Sequence, residues 1–413
     1  MRIAIVGSGI SGLVCAHLLH PDHEITVFEA QERAGGHTHT HDLQQGGRRY
    51  AVDTGFIVFN EATYPGLVKL FRRLGVASQA STMSFGVRNE RTGLEWNGSS
   101  LGQIFAQRRN VVNPSFLRMI RDLLRFRREA RELLAGDGQG PTLGGYLEDR
   151  GYSRAFAEDC LLPMGAAIWS ADPARMREFP ARRFVRFFEN HRFLEACQPQ
   201  WRVVQGGSRR YVEALTAPFR ERIRLRTPVE AVRRYSDRVE VAPAGGPAER
   251  FDQVIVATHS DQALRLLADP TPAEREILAA IPYQQNEVVL HTDDSVLPRL
   301  PRARGGWNVL VPRQERGRVS VTYDMNRLQG LDARPGYRVS LNLEAAIDPA
   351  RVLRRLDYQH PVFTTAGDEA QRRHGELLGA NRTWFAGAYW GQGFHEDGLQ
   401  SALAVCRRFG KGL

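Results

Sequence analysis

Three glycines carry the first chemistry of this 413-residue chain: Gly7, Gly9 and Gly12, in the run Gly7-Ser8-Gly9-Ile10-Ser11-Gly12. The run follows the apolar segment Arg2 to Val6 and leads into the helical pattern Leu13, Ala16, Leu19. Backbone N–H groups left free at such a helix start, together with the helix dipole, attract a phosphate. Gly7 permits the tight turn, Gly9 lets a pyrophosphate approach the backbone, and Gly12 lets helix and sheet pack closely. A second apolar run, Ile25-Thr26-Val27-Phe28, ends at Glu29, where a carboxylate accepts hydrogen bonds from ribose hydroxyls. Strand, loop, helix, strand and acid agree in spacing, so the residues point to a bound dinucleotide rather than a plain glycine turn.

The other reactive residue types gather elsewhere. His395-Glu396-Asp397 offers an imidazole for proton transfer beside two carboxylates; the plainer reading has His395 only bonding its loop and the two acids capping the following helix. Tyr389 and Trp390 wall a site or serve as core aromatics. His37, His39 and His41 alternate and would share one face of a strand, but no fourth ligand accompanies them, so no metal is expected. Cys15, Cys160, Cys197 and Cys406 are scattered without a CxxC pair, as reduced thiols are.

The elements that position these groups are interleaved. A discontinuous nucleotide-binding domain is expected over 1–80, 200–265 and 370–413, with 81–199 and 266–369 forming a substrate domain. Residues 101–190 read as helical, and Glu287–His291, Asn308–Val311, Val319–Tyr323 and Arg338–Asn342 as strands. Trp384–Ala388 reads as a last buried strand, 391–398 as a loop and Leu399–Arg408 as a helix. Turns are expected at Gly136–Pro141 and Ala244–Pro247.

Basic residues number 56 and acidic ones 46, a formal charge of +10, yet Lys69 and Lys411 are the only lysines. Such arginine bias reflects composition more than function, and no nucleic-acid motif accompanies it, so no nucleic-acid partner is expected. No apolar run is long enough to span a membrane, and no leader precedes the first strand, so a cytoplasmic protein is expected. The helix bearing Arg118, Arg121, Arg125, Arg127 and Arg128 admits two readings: a face resting on an anionic bilayer at the inner side of the membrane, or a solvated helix packed inward.

Beyond Glu29, the run Ala30, Arg33, Gly35, Gly36 resembles flavoproteins of the glutathione-reductase and amine-oxidase type, as does Val52-Asp53-Thr54-Gly55. Gln205-Gly206-Gly207-Ser208, the strand Val254–Thr258 and the closing Gly391–Gly398 segment add to the resemblance. It implies an α/β fold: a glutathione-reductase-type, Rossmann-like FAD-binding domain with an inserted α+β substrate domain. It also implies FAD, held by Gly7, Gly9, Ser11, Gly12, Glu29, Ala30, Arg33, Gly35, Gly36, His37, Thr54, Gly55, Phe56, Val229, Gly387, Glu396, Asp397, Gly398 and Leu399. The helix start near residue 395 would stabilise negative charge on reduced flavin. His395 and Tyr389 are the catalytic candidates. His37 stands where many relatives have arginine and Ala388 where many have an acid, and the lysine that serves flavin N5 in many amine oxidases has no counterpart.

More narrowly, Asp53–Asn60 with Tyr64-Pro65, Thr322–Gln329, His360–Phe363 and Gly393–Gly398 resemble a bacterial group of amine-oxidase-like flavoproteins often encoded beside cyclopropane-fatty-acid-synthase-like methyltransferases. That resemblance implies hydride transfer to flavin from a C–H bond of an apolar substrate, a fatty acyl chain, giving desaturation or double-bond isomerisation, with a lipid methyltransferase as partner. The alternatives are an amine or amino-acid oxidase that makes hydrogen peroxide, and a non-catalytic flavoprotein that docks to the methyltransferase.

Overall fold

Short, fully apolar runs become parallel strands buried on both faces. In the computed structural model, which describes residues 1–135, 140–172, 175–195, 199–314 and 317–413, Arg2–Val6 is the middle of a five-stranded parallel sheet. Its order is Ile223–Arg224, Glu24–Phe28, Arg2–Val6, Gln253–Val256, Thr383–Phe385. Ile3 and Ile5 pack on one side with the helices Ile10–Leu19 and His395–Arg408. Ala4 and Val6 pack on the other side against the small antiparallel sheet of Val229–Arg234, Val239–Pro243 and Glu249–Phe251. The alternation along one strand thus builds two core layers from five residues.

The second body is a seven-stranded sheet in the order Val352–Pro361, Tyr283–His291, Arg338–Leu341, Ser320–Asp324, Trp307–Val311, Phe85–Asn89, Leu94–Asn97. The four expected strands are all in it. Phe85–Asn89 joins from far upstream and pairs in parallel with Trp307–Val311, which ties the two insertions together. Helices Pro114–Glu129, Leu143–Asp149, Leu162–Trp169 and Ala181–Asn190 cover the sheet through Phe126, Phe156, Phe184 and Phe188. The long helix begins at Asn113, whose side chain accepts from the Ser115 and Phe116 N–H groups.

One boundary differs from expectation. Residues 395–398 are not loop but the first turn of the closing helix, His395–Arg408. Asp397 accepts the Phe394 N–H at 2.9 Å, and acids in a first turn suit the helix dipole. The Ala244–Pro247 turn is present, closed by Gly246 N–H on Pro243 O; the Gly136–Pro141 turn falls mostly outside the described residues. Cys15, Cys160 and Cys406 are buried free thiols, and Cys197 lies outside the described residues. Among the described residues no helix is long and apolar enough to cross a membrane.

Candidate functional site

One cavity of about 1160 Å³ runs from the glycine loop to the helical insert. Ordinary ligand pockets hold roughly 300–1,000 Å³, so this one has room for a dinucleotide and a second molecule. At its first end Gly7 adopts φ +104°, and a Cβ there would stand 2.6 Å from the Ala257 carbonyl. A Cβ on Gly12 would stand 2.0 Å from Gly7 O, whereas Gly9 faces open space. Loop and helix are therefore clamped on the protein side and bare on the cavity side. Glu29 accepts from the Ser8 N–H at 3.0 Å, from the Ser8 hydroxyl, and from the Gln31 N–H at 2.8 Å. A carboxylate has about four acceptor sites, so Glu29 both stiffens the loop and retains capacity for a hydroxyl.

Gly7, Gly9, Ser11, Glu29, Ala30, Arg33, Gly35, Gly36, His37, Thr54, Gly55, Phe56, Val229 and Gly387 line this cavity, and so do His395 and Tyr389. Arg33 spends its guanidinium on the carbonyls of Thr38 and Gly36, at 2.8 and 2.9 Å, and so shapes the loop.

His395 lies flat on Phe56, ring centroids 3.8 Å apart, with Nε2 3.1 Å from both the Thr38 hydroxyl and the Tyr211 hydroxyl. Burial lowers its pKa to about 3, so the imidazole is neutral at ordinary pH. The Tyr389 hydroxyl is buried without a protein partner, and burial drives its pKa well up. Such an orphaned group at a cavity wall is matched by a polar edge of a bound molecule. Trp390 stacks on His374 at 4.0 Å.

The three alternating histidines do not share a face. The strand begins only at Thr40; His39 and His41 lie 4.0 Å apart, while His37 turns towards Tyr358 and His360. The Phe56 N–H on the His37 carbonyl, at 3.0 Å, directs that turn. Among the described residues no group of three or more His, Cys, Asp or Glu is arranged to hold a metal ion.

Five expected cofactor residues lie off the cavity wall: Gly12, Glu396, Asp397, Gly398 and Leu399. Glu396 instead accepts the N–H groups of Gly66 and Leu67, at 3.0 and 2.9 Å, and so caps the helix Pro65–Leu74. Asp397 turns back to its own helix start, and burial pushes its pKa up to about 6. Gly398 packs on Ile10, where a Cβ would stand 2.7 Å from the Ile10 Cγ2, and its carbonyl accepts from the Ser11 hydroxyl at 2.9 Å. Leu399 is core. These residues hold the two helix starts against each other behind the site.

Two organising residues carry no mark in the sequence. Asp53, fully buried, accepts from the Ser208 N–H, the Ser208 hydroxyl at 2.7 Å and Gln329 Nε2 at 3.0 Å, which joins the hairpin, the helix after residue 208 and the substrate domain. Arg183, from the helical insert, donates to Gly391 O at 2.6 Å, pairs with Asp368 and lies 3.9 Å over the Phe363 ring. It fixes the loop that carries Tyr389 and Phe394. Neither is announced by local spacing, because each acts on partners far away in the chain.

The family profile of flavin-containing amine oxidoreductases matches residues 10–330. A protein described as the flavin-containing monoamine oxidase AofH of Mycobacterium tuberculosis is 24% identical over 300 residues, 67% of this chain and 61% of its own length. The flavin-dependent L-tryptophan oxidase RebO of Lentzea aerocolonigenes is 42% identical over 55 residues, 13% of this chain and 12% of its own length. The chain thus spans less than two thirds of these relatives. A crystal structure of a conjugated-linoleic-acid-producing ("CLA-producing") fatty acid isomerase from P. acnes superposes with a TM-score of 0.71 at 16% identity, over 99% of this chain and 98% of that one. The open glycine loop, Glu29 and the orphaned Tyr389 hydroxyl fit the FAD that goes with this fold.

Proposed function

This chain belongs to the flavin-containing amine oxidoreductase family, and on that premise we propose that its substrate is a long apolar acyl chain, desaturated or shifted in double-bond position. It is an FAD-dependent oxidoreductase. When bound, FAD supplies a two-electron acceptor beside the aromatic end of the cavity.

The observation that carries the substrate class is the lining. Trp96, Phe126, Leu161, Met164, Ile168, Phe187 and Phe188 form the wall beyond His395. The carboxylates on the lining are Glu29, engaged with the glycine loop, and Asp357, on an exposed strand position. Neither lysine lines it. An amine cation would find little to offset its desolvation here, whereas each methylene buried contributes about 0.8 kcal/mol. Phe56 and the Thr38–Tyr211 pair orient the neutral His395 ring, which in that state can accept a proton at one nitrogen. The aromatic walls exclude water, and Arg183 fixes the loop on the far side.

The fatty acid isomerase likeness supports the reading at the level of fold. A lipid methyltransferase partner belongs to the same proposal, and stable co-purification tests it. Anaerobic mixing of the yellow protein with unsaturated or methyl-branched phospholipid is expected to bleach the flavin. Bleaching by small amines and by no lipid replaces the reading with an amine oxidase; bleaching by neither, with stable co-purification, points to a non-catalytic flavoprotein.

A further inference from the structure

Seven large apolar side chains are exposed among the described residues, and five of them fall within one short segment: Leu101, Val111, Val112, Leu117 and Leu124. Leu101 is 76% exposed, Val112 79% and Leu124 60%, values at which a side chain touches almost nothing of its own protein. Scattered exposed leucines need no explanation, but this clustering does. Along the helix Pro114–Glu129 the outward stripe reads Leu117, Arg121, Leu124, Arg128, apolar and basic in turn at helical spacing.

Charge sharpens the picture. Residues 101–128 contain seven arginines and a single acid, Asp122. Asp122 is buried and accepts the Ser153 N–H at 2.8 Å, so it cannot neutralise the face. Arg125 is spent on Glu129 at 2.8 Å, whereas Arg108, Arg118 and Arg121 have no acid within ion-pair distance among the described residues. The inner side of this same helix is a wall of the cavity: Leu123, Phe126 and Arg127 line it, together with Trp96 and Ser99.

We propose that this face, Leu101 to Arg128, docks on the surface of an anionic lipid bilayer. A protein partner covering the patch would have to desolvate unpaired guanidinium groups between isolated apolar tips. A bilayer takes the leucines and valines to the acyl boundary while the arginines stay among headgroup phosphates, so both features are satisfied at once. That the face also passes acyl substrate through the wall at Leu123 and Phe126 rests on the function proposed above; the docking does not, and it is measured without turnover.

The test is flotation of the FAD-loaded protein with vesicles of phosphatidylglycerol and phosphatidylcholine, and with phosphatidylcholine alone. Binding is expected to the first, to decline as salt rises, and to fall by roughly tenfold or more in L117D/L124D and in R118Q/R121Q. Flavin absorbance and melting temperature check that each variant is folded. If a variant fails to fold, Leu124→Trp replaces it: anionic vesicles should blue-shift its added indole emission relative to the parent protein. Equal flotation of parent and variants, equal binding to neutral vesicles, an unshifted emission from the Leu124→Trp protein, or concentration-dependent self-association abolished by L117D/L124D without vesicle binding, would each overturn the proposal.

Discussion

At the scale of single residues the site depends on one neutral imidazole and one carboxylate. Burial keeps His395 uncharged far below neutrality, with its pKa at about 3. Its own titration therefore leaves flavin reduction flat between about pH 5 and 8, as stopped-flow traces across that range would record. His395→Ala should retain FAD and slow substrate-dependent flavin reduction by ~10²-fold if the ring moves a proton; unchanged kinetics return it to holding Thr38 and Tyr211 in place. Glu29→Ala removes the acceptor shared by loop and ribose, so FAD should be lost on dialysis where the parent retains it. A variant that stays yellow to the same degree refutes the role of Glu29.

At the scale of elements, helix starts are joined in pairs. Glu396 lies in the first turn of one helix and caps another, at Gly66 and Leu67. Glu396→Ala should lower stability by roughly 1 kcal/mol, the usual cost of a lost cap, while leaving the cavity wall intact. A melting curve that does not move, or a large loss of bound FAD, contradicts that assignment. The same residues show what was legible in the chain and what was not. The loop from Gly7 to Gly12 and Glu29 were readable because a nucleotide-binding turn is built from neighbours at fixed spacing. The Gly391–Gly398 segment, with its glycines, reads as loop from end to end; that its last four residues are helical depends on Asp397 reaching back to Phe394. Glu396 looked like a cofactor contact because nothing local reveals that its partners lie 330 positions upstream. Arg183 and Asp53 were hidden for the same reason: their partners are brought near only by tertiary packing.

For the molecule as a whole, buried histidines set the response to acid. His191, stacked on Phe187, and His291, bonded to the Ser340 hydroxyl, both have pKa values lowered to about 4 by burial, as does His360. Between about pH 4 and 6.5 these groups bind protons in the unfolded chain and not in the folded one, so stability rises with pH there. Asp53 and Asp397, each raised to about 6, oppose this between about pH 4 and 6, but fewer groups act in that direction. Thermal midpoints are therefore expected to climb from about pH 4.5 to 6.5; a fall over that interval would show that the two carboxylates dominate.

The contact between the Ser11 hydroxyl and Gly398 O, 387 positions apart, has a consequence for how the protein is made. A nascent chain emerging from the ribosome carries its glycine loop from the first moments of synthesis, yet the strand Thr383–Phe385 and the helix His395–Arg408 that complete the pocket are translated almost last. Cofactor capture is therefore a post-translational event for this chain, never a co-translational one, and a product ending at residue 382 should accumulate colourless and protease-sensitive however much FAD is supplied. Tethering the residue 383–413 segment ahead of Met1 through a flexible linker, so that it leaves the ribosome first, should advance that moment, and the earlier onset of FAD protection in a timed translation reaction would measure it.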